Sequence, residues 1–296
     1  MIILLVVNTI IIIVIKSDYR KRSAKVIAQS MQWYVIVLLA LCSCSKTHNS
    51  AIPTIHSTYV NDDFELYIDL PPQYSADSSY AIAFYMDANL RLGGHMRKQI
   101  RLEENAQNLS KVIFVGVGHT GDYHYQRRRD FIPPNMENGK VVQSKAVNFG
   151  HADDFYKFLT LELIPHIRQQ YPDNGHYSYI GHSFSGLFAF YSMTQPQQVF
   201  RNYIALSPSL WVNYDDVFEH ESAFSQNAPT LNTYLYHACG TREWTNKVRS
   251  SSRRMKDTLD NRAYPGLTYE YVEHPGKGHN GVVPVSLEYI LKNTEF

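Results

Sequence analysis

The sequence predicts an α/β fold in which a mostly parallel, doubly wound sheet has antiparallel strands at its N-terminal end and helices on both faces. Strand-like and helix-like segments alternate at least four times along the chain, which favours parallel strands joined by helices. The strands that follow helices are largely apolar, as expected of strands buried on both faces. With 296 residues, 44% of them hydrophobic, the chain is long enough for one sizeable core.

The first half of the chain is predicted to be rich in strands. Four segments have an alternating or continuous apolar pattern: 57–60, 64–70, 80–88 and 111–119. Residues 88–110, between the last two of them, have the polarity of a helix. The connection over 120–149 is aromatic but has no regular period, and we expect irregular structure there.

The second half alternates regularly between the two kinds of element. The predicted strands are 177–183, 202–211, 230–240 and 267–274. The predicted helices are 152–172, 184–195, 246–263 and 283–293. Pro165 is expected to bend the first of these helices. We find no internal repeat and no second core, so residues 56–296 are predicted to form one domain after a linker over 45–55.

The first 44 residues differ from the rest. Two apolar runs, 1–15 and 33–44, flank a basic segment over 16–25, and each run is shorter than the ~20 residues that cross a bilayer. A basic segment followed by an apolar run and small residues is typical of a secretory signal. We therefore expect an exported, periplasmic or membrane-anchored protein. An uncleaved N-terminal anchor is the alternative, and the start codon could have been assigned too early.

The run "LCSC" at 41–44 resembles the lipobox of bacterial lipoproteins, in which a cysteine is acylated. Cys44 fits this role best and Cys42 less well. Lipidation of Cys44 would give membrane association through the N-terminus. If the chain is cut there, Cys239 is the only other thiol, so no disulfide framework is expected.

The charge pattern excludes some classes of partner. The formal net charge is +1 and no basic stripe is present, so we expect no nucleic-acid partner. The chain has no H-E-x-x-H or comparable ligand spacing, and we expect neither a metal nor a cofactor. The expected partner is a small-molecule ester, for the following reasons.

The stretch "YIGHSFSG" at 179–186 has the pattern of a nucleophile elbow, a sharp turn between strand and helix that exposes a serine. Gly181 stands two residues before Ser183, where only a small residue fits. Ser185 stands two residues after it, where a second glycine is usual. If Ser185 were the nucleophile, Leu187 would occupy a tight position. Ser183 is the better candidate, although it could instead only cap the helix that follows.

An acid and a base follow the elbow in the order that α/β-hydrolases use, Ser, Asp/Glu, His. Glu243 and His279 each lie in a loop after a predicted strand, at the edge where such a sheet builds its site. Competing residues are Asp215, Asp216, Asp257 and Asp260 for the acid and His274 for the base. His182 is expected to point away from the nucleophile, because adjacent residues do not share a face.

An oxyanion hole needs two backbone N–H groups. Phe184, directly after the nucleophile, supplies one, and Asn89 or Ala88, after the strand at 80–88, supplies the other.

The shared order of these motifs resembles the esterase D-type "putative esterase" family of α/β-hydrolases over most of 57–293. The resembling stretches include "RRRDFIPP", "YIALSPSLW", "GTRE" and "GKGHNGVVP". The resemblance implies Ser183 as nucleophile, His279 as base and Glu243 as orienting acid, and it favours Asn89 as the second oxyanion donor. Some relatives rely on a Ser-His dyad, so Glu243 could be dispensable.

The resemblance also implies that Trp211 and the loop with Arg128 surround the mouth of the site, and we expect Trp211, Arg128 and Asp87 to bind substrate. Ala88 and Ser185 depart from the family's glycines. The pattern is most similar to the siderophore-esterase branch and implies a serine carboxylic-ester hydrolase. A non-catalytic, membrane-anchored ligand-binding protein and an acyltransferase or thioesterase are the alternatives.

Overall fold

Ten strands and eight α-helices form the regular structure of the residues that this computed structural model describes, which are 52–103, 106–143, 146–213, 215–226 and 230–296. The strands are β1 (Thr54–Ser57), β2 (Asp62–Asp69), β3 (Tyr80–Met86), β4 (Val112–His119), β5 (Asn135–Glu137), β6 (Lys140–Val142), β7 (Asp173–His182), β8 (Asn202–Leu206), β9 (Thr233–Gly240) and β10 (Leu267–His274). The helices are α1 (Arg91–Leu102), α2 (Tyr123–Phe131), α3 (Ala152–Lys157), α4 (Ile164–Gln170), α5 (Phe184–Met193), α6 (Asp216–Ser225), α7 (Asn246–Arg262) and α8 (Val282–Asn293).

Eight of these strands form one sheet, in the order β1-β2-β4-β3-β7-β8-β9-β10. β1 and β2 are antiparallel to their neighbours, and all other pairs are parallel. The predicted mostly parallel sheet with antiparallel N-terminal strands is therefore confirmed. The strand order reverses between β3 and β7, and the crevice outside the carboxyl ends of the strands at such a point is where open α/β sheets bind ligands.

Strand β3 shows why the central strands are apolar throughout. Its alternate residues belong to different cores: Ile82 and Phe84 face one layer of helices, whereas Ala83 and Tyr85 face the other. The first core contains side chains of α2 to α7, and the second contains those of α1 and α8. Helices therefore cover both faces of the sheet, as the sequence predicts.

The prediction of irregular structure over 120–149 is wrong. Asp122 caps α2 by accepting a hydrogen bond from the N–H of His124 at 3.0 Å. Strands β5 and β6 then form a hairpin around Asn138-Gly139, which have φ angles of 52° and 73°. Asn-Gly is the preferred pair for such a turn, and this sequence signal was available.

The predicted bounds of two strands are also wrong. The first strand is Thr54–Ser57, not 57–60, because the Ser57 hydroxyl and the Thr58 N–H both donate to Glu162, over a hundred residues away. The strand predicted at 202–211 ends at Leu206, where Ser207 turns the chain with a φ of 43°. Helix α6 has no counterpart in the prediction.

The helix predicted over 152–172 is interrupted by a π turn over Phe158–Leu163. Pro165 follows at the start of α4. A proline has no N–H to donate to the carbonyl four residues earlier, and π turns and prolines are both recognised causes of helix irregularity. The expected disturbance at Pro165 therefore takes the form of a wider turn before it.

The predictions about the N-terminal segment, including lipidation of Cys44 or Cys42, lie outside the described residues. Residues Ile52–Phe296 form a compact unit. In the part of the chain that the structure describes, no helix has both the length and the apolar character needed to cross a bilayer.

We predict that the free energy of unfolding falls as the pH is lowered, and that His237 causes part of this fall. His237 is fully buried on β9, where Nδ1 lies 2.9 Å from the Tyr269 hydroxyl. Burial lowers its pKa to about 3. Below its ordinary pKa of about 6.5, the unfolded chain binds a proton that the folded protein excludes, so the loss continues down to about pH 3 at up to ~1.4 kcal/mol per pH unit.

Urea unfolding between pH 7 and pH 4 measures this slope. In His237→Gln, the slope of the unfolding free energy against pH should correspond to about one fewer proton taken up on unfolding. This holds even if the substitution lowers the stability at pH 7. His166→Gln, at a partly exposed histidine on α4, should keep the parent's slope. An unchanged slope in His237→Gln would contradict the assignment.

Candidate active site

The turn between β7 and α5 has the geometry of a nucleophile elbow. β7 ends at His182 and α5 begins at Phe184, so Ser183 makes the whole turn, with a φ of 63°. A methyl group on Gly181 would overlap the carbonyl of Ser185, so only glycine fits there. The Ser183 hydroxyl makes no capping bond to α5. The residue is therefore a displayed serine held in a strained conformation, which is the arrangement of a nucleophile.

The loop after β8 contacts this serine. Ser183 Oγ lies 3.2 Å from Ser209 Oγ, and the Ser209 N–H donates to the Ser183 carbonyl at 3.0 Å. Ser209 is buried, whereas Ser183 is partly exposed and open to a ligand.

His279 and Glu243 form a hydrogen-bonded pair. His279 Nδ1 lies 2.8 Å from Glu243 Oε2. The other carboxylate oxygen accepts from the Ser207 hydroxyl at 2.7 Å and from the Gly240 N–H at 2.8 Å. Burial alone would raise the pKa of Glu243, but these hydrogen bonds outweigh it and hold the pKa below its ordinary value. The carboxylate is therefore ionised at neutral pH and fixes the orientation of the imidazole.

His182 brings His279 to the elbow, which the sequence analysis missed. Its ring lies 4.7 Å from the His279 ring, centroid to centroid, and its Nε2 lies 2.9 Å from the His279 carbonyl oxygen. Burial and the neighbouring His279 lower the pKa of His182 to about 3. The ring is thus neutral and donates through Nε2. His182 contacts His279 although the two residues are 97 positions apart in the chain, and no local pattern in the sequence indicates this contact.

The competing acids and the competing base contact other residues or are exposed. Asp215 pairs with Arg254, Asp216 accepts from Asn213, Asp257 is exposed on α7, Asp260 pairs with Lys256, and His274 contacts Ser286. Glu243, of the candidate acids, is the one that contacts His279.

Two N–H groups, one directly after Ser183 and one after β3, are available as oxyanion donors. In the described part of the chain, the N–H groups of Phe184 and Asn89 have no backbone acceptor. The N–H of Ala88 donates to the Val117 carbonyl at 3.0 Å, so the alternative prediction of Ala88 as a donor is wrong. The Asn89 side chain is anchored by a 2.6 Å bond to the carbonyl of His119, at the end of β4.

Asp87 is not placed to bind substrate, contrary to the sequence-based expectation. Its side chain is 3% exposed, and Arg127 Nε donates to it at 2.6 Å. The Ser185 hydroxyl donates to the other carboxylate oxygen at 2.8 Å. Both oxygens are therefore used inside the protein.

A cavity of about 920 Å³ adjoins the elbow through Phe184. Trp211 and Arg128, both predicted to bind substrate, line it together with Lys247. Lys247 Nζ lies 5.0 Å from the centre of the Trp211 ring, a cation–π contact. Among the described residues, Arg128 and Lys247 form no ion pair, so their charges are free to meet an anionic ligand.

An aromatic residue that the sequence analysis missed continues this surface toward the base. Trp244 is 66% exposed. Its ring packs edge to face against those of Trp211 and His279, with centroid-to-centroid distances of 6.2 and 6.0 Å. Its position directly after Glu243 was the available signal.

One group of described residues could meet around a metal ion. His151, Asp153 and Asp154 have ligand atoms within 4.8 Å of one another. Lys157 already contacts both carboxylates, at 3.7 and 2.9 Å, and these residues are not among those that line the cavity.

Comparison with known proteins gives consistent similarities. The family described as "Putative esterase" matches residues 57–278. The ferri-bacillibactin esterase BesA of Bacillus subtilis (strain 168) is 26% identical over 247 residues, covering 78% of this chain and 84% of BesA. The BES protein from Bacillus cereus has a TM-score of 0.69 at 25% identity, covering 84% of this chain and 96% of the BES chain. An IroE-like serine hydrolase from Shewanella oneidensis has a TM-score of 0.70 at 23% identity, covering 81% and 78% of the two chains.

We predict that Glu243→Gln lowers kcat for a simple ester by about 100-fold or more, because the amide cannot balance a charged imidazole. Steady-state kinetics with p-nitrophenyl butyrate measure this. Glu219→Gln, at an exposed carboxylate on α6, is the matched control and should leave kcat unchanged. Full activity of Glu243→Gln would instead indicate a Ser-His dyad.

Proposed function

Since this chain belongs to the "Putative esterase" family of α/β-hydrolases and is a carboxylic-ester hydrolase, we propose that it cleaves siderophore-type esters through an acyl-enzyme on Ser183. The observation that carries the catalytic assignment is the Glu243–His279 hydrogen bond, in which His279 also packs against His182, the residue next to Ser183. Nucleophile, base and orienting acid in this arrangement are the parts that acyl transfer requires.

In the proposed mechanism, the Ser183 hydroxyl turns from Ser209 toward His279 Nε2, which takes its proton. Ser183 Oγ attacks the ester carbonyl, and the negative charge that develops on the carbonyl oxygen is stabilised by the N–H groups of Phe184 and Asn89. His279 returns the proton to the leaving alkoxide. A water molecule, deprotonated by His279, then releases the acid and restores Ser183.

The electrostatics of the cavity support an anionic substrate. Arg128 and Lys247 supply positive charge, while Trp211 and Trp244 supply aromatic surface beside the base. Catecholate trilactones combine negative charge, aromatic rings and ester bonds, and BesA is an esterase of ferri-bacillibactin. This chemistry fits the cavity better than that of a neutral aliphatic ester.

Export belongs to the same proposal. A secretory signal over the first 44 residues with a lipidated Cys44 would hold the enzyme at a membrane, where it could meet siderophores before or during uptake.

Metabolic labelling with an alkyne fatty acid tests the lipidation of Cys44. Label is expected on the parent protein and absent from Cys44→Ala, and unlabelled parent protein would contradict lipidation.

We predict that a fluorophosphonate probe labels the full-length protein and that Ser183→Ala abolishes labelling. The probe reacts only with a serine whose hydroxyl is activated by a base. Ser225→Ala, at a serine near the end of α6, should be labelled like the parent. Persistent labelling of Ser183→Ala would show that another residue is the nucleophile.

We also predict that Lys247→Gln and Arg128→Gln each raise KM for a catecholate trilactone by about 3- to 10-fold, with smaller effects at high salt. Hydrolysis of neutral p-nitrophenyl butyrate should not change. Lys256→Gln, on the same helix but paired with Asp260, is the control for loss of a positive charge. Equal changes in KM for both esters would argue against charge recognition by this cavity.

A further inference from the structure

The carboxylate of Asp87 links the two segments that carry the candidate oxyanion donors. Asp87 directly follows β3 and precedes Asn89 by two residues, and it has a left-handed φ of 57°. Its Oδ2 accepts from the hydroxyl of Ser185, which follows Phe184 by one residue. One buried group therefore joins the end of β3 to the first turn of α5.

Ser185 is suited to this contact in a way that glycine is not. Its hydroxyl donates to Asp87 and also accepts from the N–H of His182 at 2.8 Å. Ser185 is fully buried, so its hydroxyl could not bond to water instead. The serine thus replaces the usual second glycine of the elbow with two hydrogen bonds across the turn that holds Ser183.

Arg127 closes the same network from the other side. Its Nε and Nη2 donate to the two oxygens of Asp87 at 2.6 and 3.1 Å, and Nη2 also lies 3.3 Å from the carbonyl of His182. The guanidinium carbon lies 5.3 Å from the centre of the Phe184 ring. Asp87, Arg127 and Ser185 therefore surround the elbow and contact both residues that flank Ser183.

We propose that Asp87, Arg127 and Ser185 form an oxyanion clamp that fixes the spacing between the N–H groups of Phe184 and Asn89. The proposal rests on the proposed function, because the clamp positions the donors of that reaction. Asp87 and Ser183 both have left-handed backbone conformations, which persist only where surrounding contacts enforce them. Oxyanion donors must lie 2.7–3.1 Å from the developing charge, so a small displacement lowers the rate without weakening ground-state binding.

The clamp residues are positioning residues, and their effect should appear in kcat. Ser185→Gly only removes atoms and restores the usual elbow glycine, so it introduces no steric clash. We expect it to lower kcat for p-nitrophenyl butyrate by about tenfold, which corresponds to about 1.4 kcal/mol, with KM changed by less than about twofold. The affinity of a trifluoromethyl ketone, which places an oxyanion in the hole, should fall by about the same factor as kcat.

A matched control separates positioning from helix stability. Ser192→Gly removes another buried serine of α5, whose hydroxyl bonds within its own helix to Ala189. It should lower the free energy of unfolding by an amount similar to that in Ser185→Gly, because glycine is a poor helix former. Its kcat should nevertheless match the parent. If both variants lose stability and neither loses kcat, Ser185 is only structural and the proposal is overturned.

A double-mutant cycle tests whether the clamp acts as a unit. Asp87→Asn and Ser185→Gly should each lower kcat, and the double variant should lose less than the product of the two factors. Independent, multiplicative losses would overturn the clamp. Labelling of Ser185→Gly by a fluorophosphonate should persist, so a failed clamp remains distinguishable from a failed hydrolase assignment, in which the parent itself is neither labelled nor active.

Discussion

The close approach of β7 to α5 at the elbow is the constraint on which the rest of the site depends. The carbonyl of Ser185 lies so near Gly181 that no side chain fits between them, and the chain must reverse within one residue. Ser183 therefore has a φ of 63° and stays partly exposed. The same turn leaves the N–H of Phe184 without a backbone acceptor among the described residues, so the partly exposed hydroxyl and the free N–H donor arise from the same turn.

The strain at the elbow is matched at the ends of the two neighbouring strands. Asp87 after β3 and Ser207 after β8 also have left-handed backbones. Each is held by a buried polar contact: Asp87 by Arg127 and Ser185, and Ser207 by Glu243. A buried carboxylate is stable only when its oxygens are hydrogen-bonded or paired, so the carboxylates of Asp87 and Glu243 fix the loops that contain them. The loops of the candidate site are thus tied together by two buried carboxylates whose oxygens are hydrogen-bonded within the protein.

Local patterns explain which parts of the fold could be predicted. β3 and β10 follow from their apolar or alternating runs, and α7 follows from its polar face and regular period. The sequence analysis missed the hairpin of β5 and β6 because its strands are only three residues long, although the pair Asn138-Gly139 is typical of a hairpin turn. The bounds of β1 depend on Glu162, and no local pattern indicates a partner so distant in the chain.

The sequence by itself determined the alternation of the main strands and helices and the candidate order Ser183, Glu243, His279, because burial periodicity and motif spacing are local properties of a chain. The tertiary structure alone decided which polar groups meet. It showed Ala88 bonded to Val117, Asp87 turned inward to Arg127, and His182 against His279. Such contacts join residues about 30 to 100 positions apart, and their distances depend on how strands and loops pack rather than on any pattern within one segment.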